Sequence, residues 1–419
     1  IFVILFLLPI DNFFIGRNLL REAGVRPVNF IFIGLLVYYF ARNRLHSPKI
    51  LSYTIIPVII ISYLLSSTNI VIIEPLIEGF RPRVMSWIFQ SGLLMLKLLF
   101  ILCLYSLFRN WRLTPEVIIR FAIYSLLFHT LMFTLDYFYC YGIIREDYAG
   151  IIASPFREIH SRPTGLFSEP SYWGAFCGYM WPLCAICLIA NYPFNRLLIL
   201  CLLFICLVTP FIIRARTFIG ILTVQLLFAS FICKKRWFWF PLAIAALIFI
   251  LPLFNEFQLF DIHENLSSAM RLGSTILGLN LSKEYGFFGL GLGQFTYFYS
   301  DKYAPDFLLY SEEAMSYFTG EALFRASTYN LFVRALVELG FLGFIGFTML
   351  YFLPILYVYK NCYKNSIDKK KFWFLFLLSY VGAIAFQLTQ DSLLYSPAIF
   401  FIAFSFSSCA QLKKAAFVR

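Results

Sequence analysis

The segment from Arg162 to Ser171 reads RPTGLFSEPS and runs straight into an apolar stretch, Tyr172 to Ala190. An arginine, a glutamate and two prolines therefore stand together at the edge of a candidate membrane span. A charge at the centre of a span costs about 2.5–3.5 kcal/mol on insertion scales, so keeping both signs at such an edge points to use. The chemistry suggested is work on something charged at the membrane surface. Glu169, in a partly desolvated cleft, has the chemistry to accept a proton from a sugar hydroxyl. An arginine fork binds phosphate bidentately. The structural alternative is that Glu169 holds Arg162 or a nearby loop.

Three further arginines share this character. Arg214 and Arg216 flank Ala215 between two apolar runs, and Arg271 lies in SSAMRLGSTILG, which patterns as an amphipathic helix. Taken singly, each reads as well as a snorkelling or solvated charge. Taken together, arginines from three separate segments can converge on a pyrophosphate and stabilise a leaving phosphate without a metal. Among the acids, Glu338 follows Arg334 by four residues in an apolar run, the spacing of a structural ion pair. Asp136, near the end of another apolar run, is expected to pair with one of the arginines. Tyr297, Tyr299, Tyr303, Tyr310 and Tyr317 read either as sugar-facing rings or as an interfacial belt. The four histidines (His46, His129, His160, His263) are scattered, and most of the ten cysteines sit in apolar runs. No metal site, cofactor or disulfide framework is expected.

The elements that must position these residues are membrane helices. Charged residues make up 13% of the chain and hydrophobic ones 61%, against about 25% charged in soluble domains. Apolar runs recur from end to end, so 1–419 reads as a single transmembrane domain. Spans of roughly 20 residues are expected at 1–16, 28–41, 50–73, 86–108, 117–141, 172–190, 197–213, 217–233, 237–254, 328–358, 372–389 and 393–410. The tenth is long enough to contain a break. Residue 1 is Ile, so a preceding segment is expected; the first run lacks the flanks of a signal peptide and reads as a span.

Charge orients these spans. With the N-terminus cytoplasmic, the cytoplasmic links hold seventeen basic residues, among them Arg109, Arg196, Lys360 and Lys370, against Glu116 and Asp368 alone. That is the positive-inside pattern, and it accounts for the net charge of +12 without nucleic acid. Two long outer loops remain, 142–171 and 255–327. The second sits between spans nine and ten, carries a Gly-rich run from Gly286 to Gly293, and is expected to form short helices on the outer membrane face. No internal repeat is evident, which weakens a transporter built from inverted repeats.

The motifs occur in a distinctive order. R-x-x-G-L-F-x-E-P-S precedes a span, R-A-R-T joins two spans, and an arginine follows in a loop. GLGQFTY then runs from Gly291 to Tyr297, and Y-N-L-F-x-x-x-L-x-E-x-G-x-x-G from Tyr329 to Gly343. Over roughly residues 160–345 this order resembles the O-antigen polymerase and ligase superfamily, the Wzy-type polymerases and their ligase relatives.

The resemblance implies an all-α polytopic fold of the GT-C glycosyltransferase kind with a large periplasmic loop. It implies a multi-pass protein of the bacterial inner membrane whose site faces the periplasm. An undecaprenyl-pyrophosphate-linked glycan would be the donor, transfer would be metal-independent, and a chain-length regulator would be a partner. Arg216 and Arg271 would bind pyrophosphate. Arg162 would position Glu169 or join the phosphate site in the same cleft. Arg214, Tyr329, Asn330, Arg334 and Glu338 would contact substrate. One departure matters: ligase relatives carry a histidine base where this chain has Tyr329. Tyrosine, with an ordinary pKa near 10, is a poor base at neutral pH. Glu169 becomes the leading base, with Glu321 and Glu338 in reserve. The expected activity is therefore a polysaccharide polymerase. An O-antigen ligase transferring glycan to lipid A-core and a lipid-linked oligosaccharide flippase are the alternatives.

Overall fold

The computed structural model describes residues 28–42, 45–70, 87–110, 115–143, 162–165, 167, 169–190, 192–232, 266–319, 326–364, 370–390 and 395–417. Among the described residues all regular structure is helical. The helices are α1 (Val28–Ala41), α2 (Ile56–Ser66), α3 (Trp87–Asn110), α4 (Pro115–Cys140), α5 (Pro170–Ile189), α6 (Arg196–Ile212) and α7 (Arg216–Ile232). They continue as α8 (Leu266–Tyr285), α9 (Glu312–Phe318), α10 (Leu331–Val358), α11 (Lys370–Phe386) and α12 (Ser396–Phe417).

Five helical segments among the described residues are long and apolar enough to cross a membrane: Leu51–Asn69, Gln90–Asn110, Glu116–Cys140, Pro170–Ile189 and Leu331–Tyr363. Arg196–Ile212, Arg216–Ile232 and Ser396–Ala410 are shorter apolar helices. The expected spans 1–16 and 237–254 lie outside the described residues, as do most of the loop 142–171, Glu321, His160 and His263.

Three helix groups carry the architecture. α5 packs against α4, α6, α7 and α11, α10 against α2, α8 and α12, and α12 against α3. The α5–α7 seam is close because α5 offers glycine there. A Cβ on Gly174 would fall 2.7 Å from Cβ of Ala215, and one on Gly178 would fall 2.8 Å from Ile221. Gln225 of α7 is buried at this junction. Its amide donates to the carbonyls of Gly178 and Leu378 at 2.8 and 2.9 Å, and its oxygen accepts from Trp181 Nε1 at 2.9 Å. Every polar atom of that side chain is thereby satisfied, as burial demands.

The tenth expected span does contain a break. Gly340 has φ 77° and ψ −173° inside α10, a backbone conformation costly for any residue with a Cβ. The segment Phe287–Gly291 docks into the gap. Leu290 N–H donates to Val337 O at 2.8 Å and Gly291 N–H to Glu338 O at 2.9 Å, while Phe341 N–H donates to Phe287 O at 3.3 Å. Ser62 of α2 donates to the carbonyl of Leu339. The carbonyls released by the break are thus used, as buried backbone groups must be. Gly289, φ 85°, faces Gly340 so closely that a Cβ on either would lie 2.6 Å from the other segment's backbone.

The loop 255–327 forms short helical pieces where it is described: Phe295–Phe298, Asp301–Tyr303, Asp306–Tyr310 and α9. With α8 these build a small core of their own around Leu277, Leu290, Phe295, Tyr299 and Leu308. Cys184 and Cys187 stand one turn apart on α5 in a C-x-x-C spacing, but both are buried and free. No group of metal-binding side chains forms among the described residues.

Candidate functional site

The RPTGLFSEPS segment is held from below by α4. Asp136 Oδ2 accepts the backbone N–H groups of Thr164 and Gly165 at 2.6 and 2.7 Å. The carboxylate therefore fixes the loop that leads to Glu169. Phe167 is buried among the rings of His129, Trp173 and Phe176. That anchor delivers Glu169 to the N-cap position of α5, with extended backbone (φ −142°, ψ 155°) and Pro170 at the first helical position, where the missing N–H costs nothing. The Glu169 side chain does not cap its helix. Its Oε2 accepts from Ser171 Oγ at 2.8 Å and pairs with Arg271 Nη2 at 3.5 Å. Of the structural alternatives, an ion pair with Arg162 is not among these contacts.

Arg214 and Arg216 are set by the α6–α7 turn. Ala215 N–H donates to Pro210 O at 2.7 Å and Arg214 N–H to Phe211 O at 3.0 Å, closing α6 with Arg214 in the left-handed region at φ 56°. Glycine usually fills such a position. Arg216 opens α7, just outside the apolar run 217–233, and Thr217 Oγ1 donates to Ser171 O at 3.2 Å, tying the starts of α5 and α7 together. Partial burial, then the positive charges of Arg162 and Arg271, push the Arg216 guanidinium pKa below its ordinary value. Like charges gathered this way favour an anion between them.

Arg271 projects from α8. Four residues on, Thr275 Oγ1 donates to Thr328 O at 2.7 Å, joining α8 to the start of the late motif. Tyr329 has φ 50°, and its ring centroid lies 5.5 Å from the Arg271 guanidinium carbon, a cation–π contact. Asn330 caps α10: its Oδ1 accepts from the N–H groups of Phe332 and Val333 at 3.0 and 3.2 Å. Leu331 N–H donates to Gln387 O at 3.0 Å, bringing the end of α11 alongside.

Together these elements enclose a cleft of about 830 Å³, within the usual range for ligand sites. Arg162, Glu169, Arg214, Arg216, Arg271, Tyr329 and Asn330 all line it, with Ser171, Thr217, Thr275, Leu388 and Thr389. The starts of α5, α7 and α10 border it, so three helix N-termini add partial positive charge to that of the arginines. The only non-glycine residues with positive φ among the described ones, Arg214 and Tyr329, are both on its wall. Backbone strain of this kind collects at functional sites.

Arg334 and Glu338 are elsewhere. They form a buried i,i+4 ion pair at 2.8 Å, 4% and 2% exposed, and Arg334 also donates to Gln90 of α3 at 3.2 Å. Neither lines the cleft, which puts Glu338 out of reach as a reserve base and both out of reach as substrate contacts there. The five loop tyrosines also separate. Tyr299 is buried, meeting Ser274 Oγ at 2.9 Å and the rings of Tyr317 and Phe318. Tyr303 donates to Glu284 at 2.6 Å and accepts from Lys302 at 2.9 Å. The Tyr297 hydroxyl is buried, and Tyr310 is exposed.

Of the wall residues the sequence did not mark, Thr275 carried a signal, being one helical turn from Arg271 on the same face. Leu388 and Thr389 carried none.

No protein-family model matches the chain, and a search of curated proteins finds no significant match.

Proposed function

We propose that the protein is a polysaccharide polymerase, joining repeat units carried on a polyprenyl pyrophosphate. The observation that carries this reading is the gathering of Arg162, Arg214, Arg216 and Arg271 around one cleft that also holds Glu169. The motif order shared with Wzy-type polymerases supports it, and brings with it a GT-C-like arrangement of about twelve spans, no cofactor, and a site on the periplasmic face of the inner membrane.

In this reading Glu169 takes the proton from the acceptor sugar hydroxyl. The oxygen attacks the anomeric carbon of the donor from the face opposite the pyrophosphate. The new glycosidic C–O bond forms as the bond from that carbon to the pyrophosphate oxygen breaks, with inversion. The departing pyrophosphate stays on its lipid, and Arg216 and Arg271 stabilise its charge. Preorganised donors of this kind contribute about 10²–10³ in rate each. Arg271 touches both halves of the step, lying 3.5 Å from the carboxylate within the arginine cluster. Tyr329 under Arg271 acts as its platform rather than as a base.

The deciding experiment is polymerisation in vitro by the purified protein from lipid-linked repeat units, without added metal. The reading expects polymer from the wild-type protein. It expects a fall of about 10²–10³ for Arg216→Ala or Arg271→Ala, and loss of the proton-transfer contribution for Glu169→Gln. Arginine variants with undiminished yield would remove the pyrophosphate assignment; a fully active Glu169→Gln would remove the base. Transfer to lipid A-core instead of to another repeat unit would convert the reading to a ligase.

A further inference from the structure

A second cleft, of about 310 Å³, adjoins the first. Tyr137 and Tyr141 at the end of α4 form one wall, Arg162 and Pro163 another, and Ile213 and Arg214 the third. Arg162 and Arg214 line both clefts, so two cavities share one pair of guanidinium groups. Glu169, Arg216 and Arg271 belong to the larger cleft alone.

We propose that this side cleft is a second phosphate site, and that it takes the headgroup of a lipid-linked phosphate or pyrophosphate. Two arginines supply bidentate phosphate donors. The paired rings of Tyr137 and Tyr141, with centroids 4.6 Å apart, supply an amphipathic wall of the kind found at membrane interfaces. The rim is apolar and open: Tyr141 is 59% exposed and Ile212 57%. These residues end a helix long enough to cross a membrane and its shorter neighbour, so an acyl or prenyl chain leaving the cleft meets apolar side chains. A soluble phosphate has no use for that rim.

The identity of the lipid rests on the polymerase reading; the site itself rests on the cleft. A polymerase must hold two lipid-linked substrates at once, and only the donor's bond to pyrophosphate breaks. The larger cleft, with Glu169, Arg216 and Arg271, suits the pyrophosphate that departs. The side cleft, with no carboxylate among the described residues of its wall, suits the acceptor's pyrophosphate, which stays intact. Arg162 and Arg214 then lie between the two anions and reduce their mutual repulsion.

The test counts bound lipids by native mass spectrometry of the protein in nanodiscs, with farnesyl pyrophosphate as the probe. Two bound molecules per chain are expected. Arg216→Ala should empty one site and leave the other. Tyr141→Glu places a carboxylate in the side cleft at an exposed position, and should weaken the second occupancy at least about tenfold while sparing the first. Tyr141→Phe should keep both. Inorganic pyrophosphate should occupy the side cleft at least about tenfold more weakly than the prenyl form; equal binding would overturn the lipid assignment. A single molecule bound to the wild type, or two bound tightly to Tyr141→Glu, would overturn the site. Polymerisation separates the two levels. Two sites with no polymer would sink the polymerase reading and leave the site standing. Polymer made by Tyr141→Glu with an unchanged acceptor KM would sink the acceptor assignment and leave the polymerase standing.

Discussion

Two side chains on the cleft wall are held in conformations their types disfavour, and each makes a separable prediction. Arg214, at φ 56°, sits where a Cβ costs roughly 1–2 kcal/mol. Arg214→Gly should therefore unfold at a higher temperature in detergent than Arg214→Ala, by an amount equivalent to about 1 kcal/mol, although both lose the same guanidinium and should lose the same activity. Equal melting temperatures would mean that the turn relaxes and stores no strain. Tyr329 tests the chemistry. If its ring serves Arg271 as a platform, Tyr329→Phe keeps the cation–π contact and should keep most of the polymerisation rate. Tyr329→Ala should lose about 0.5–2 kcal/mol of that positioning. A Tyr329→Phe protein as inactive as the alanine variant would instead make the phenol a participant. Residue types announced the charges of this site but not their partners. Asp136 reads as a mate for an arginine, and nothing in its run of apolar neighbours reveals that its carboxylate holds the N–H groups of Thr164 and Gly165. The spacing of Arg334 and Glu338 does specify their pairing, because an α-helix alone brings i and i+4 together.

At the scale of elements, the glycines of the late motifs are explained by an interlock rather than by ligand contact. Gly289 and Gly340 both have positive φ, and each lies where a Cβ would meet the other segment's backbone. Gly289→Ala and Gly340→Ala should each destabilise the fold by more than about 3 kcal/mol, combining backbone strain with a clash that no rotamer relieves. Gly34 in α1 has nothing within 4 Å of its Cβ position, so Gly34→Ala should be neutral or stabilising by up to about 1 kcal/mol. Thermal unfolding of the three variants in the same detergent makes the comparison; similar losses in all three would contradict the interlock. The break itself was legible as excess length in the run 328–358. Its filling was not, because the segment that docks there, Phe287–Gly291, lies some fifty residues earlier in the chain and signals only a Gly-rich loop. For the same reason Leu388 and Thr389 went unmarked: they reach the cleft through a backbone bond from Leu331 to Gln387, a contact without a sequence pattern.

For the whole molecule, the helices sort their charges by end. The starts of α5, α7 and α10 and the ends of α4, α6 and α11 border the two clefts. Arg196, Lys360 and Lys370 lie at the opposite ends of α6, α10 and α11. Along α6, seventeen residues separate the cleft turn from Arg196, a distance of about 25 Å at the α-helical rise. Apolar runs and basic links made this arrangement readable in advance, since both follow from the cost of burying charge in hydrocarbon. With the cleft on the outer side, its four arginines would run against the orienting bias, because basic residues favour the cytoplasmic side, and would be kept there for something other than insertion. The orientation is open to a direct check. Tyr310→Cys, at a position 76% exposed on the loop carrying Arg271, should react with a membrane-impermeant maleimide in intact spheroplasts. Arg196→Cys, at the start of α6, should react only after the membrane is permeabilised. The parent protein sets the background, since among its described cysteines only Cys201 is exposed. Labelling of Arg196→Cys in intact spheroplasts, with Tyr310→Cys protected, would turn the protein over. The arginine cleft would then face the cytoplasm, where a polymerase of outward-flipped repeat units has no substrate.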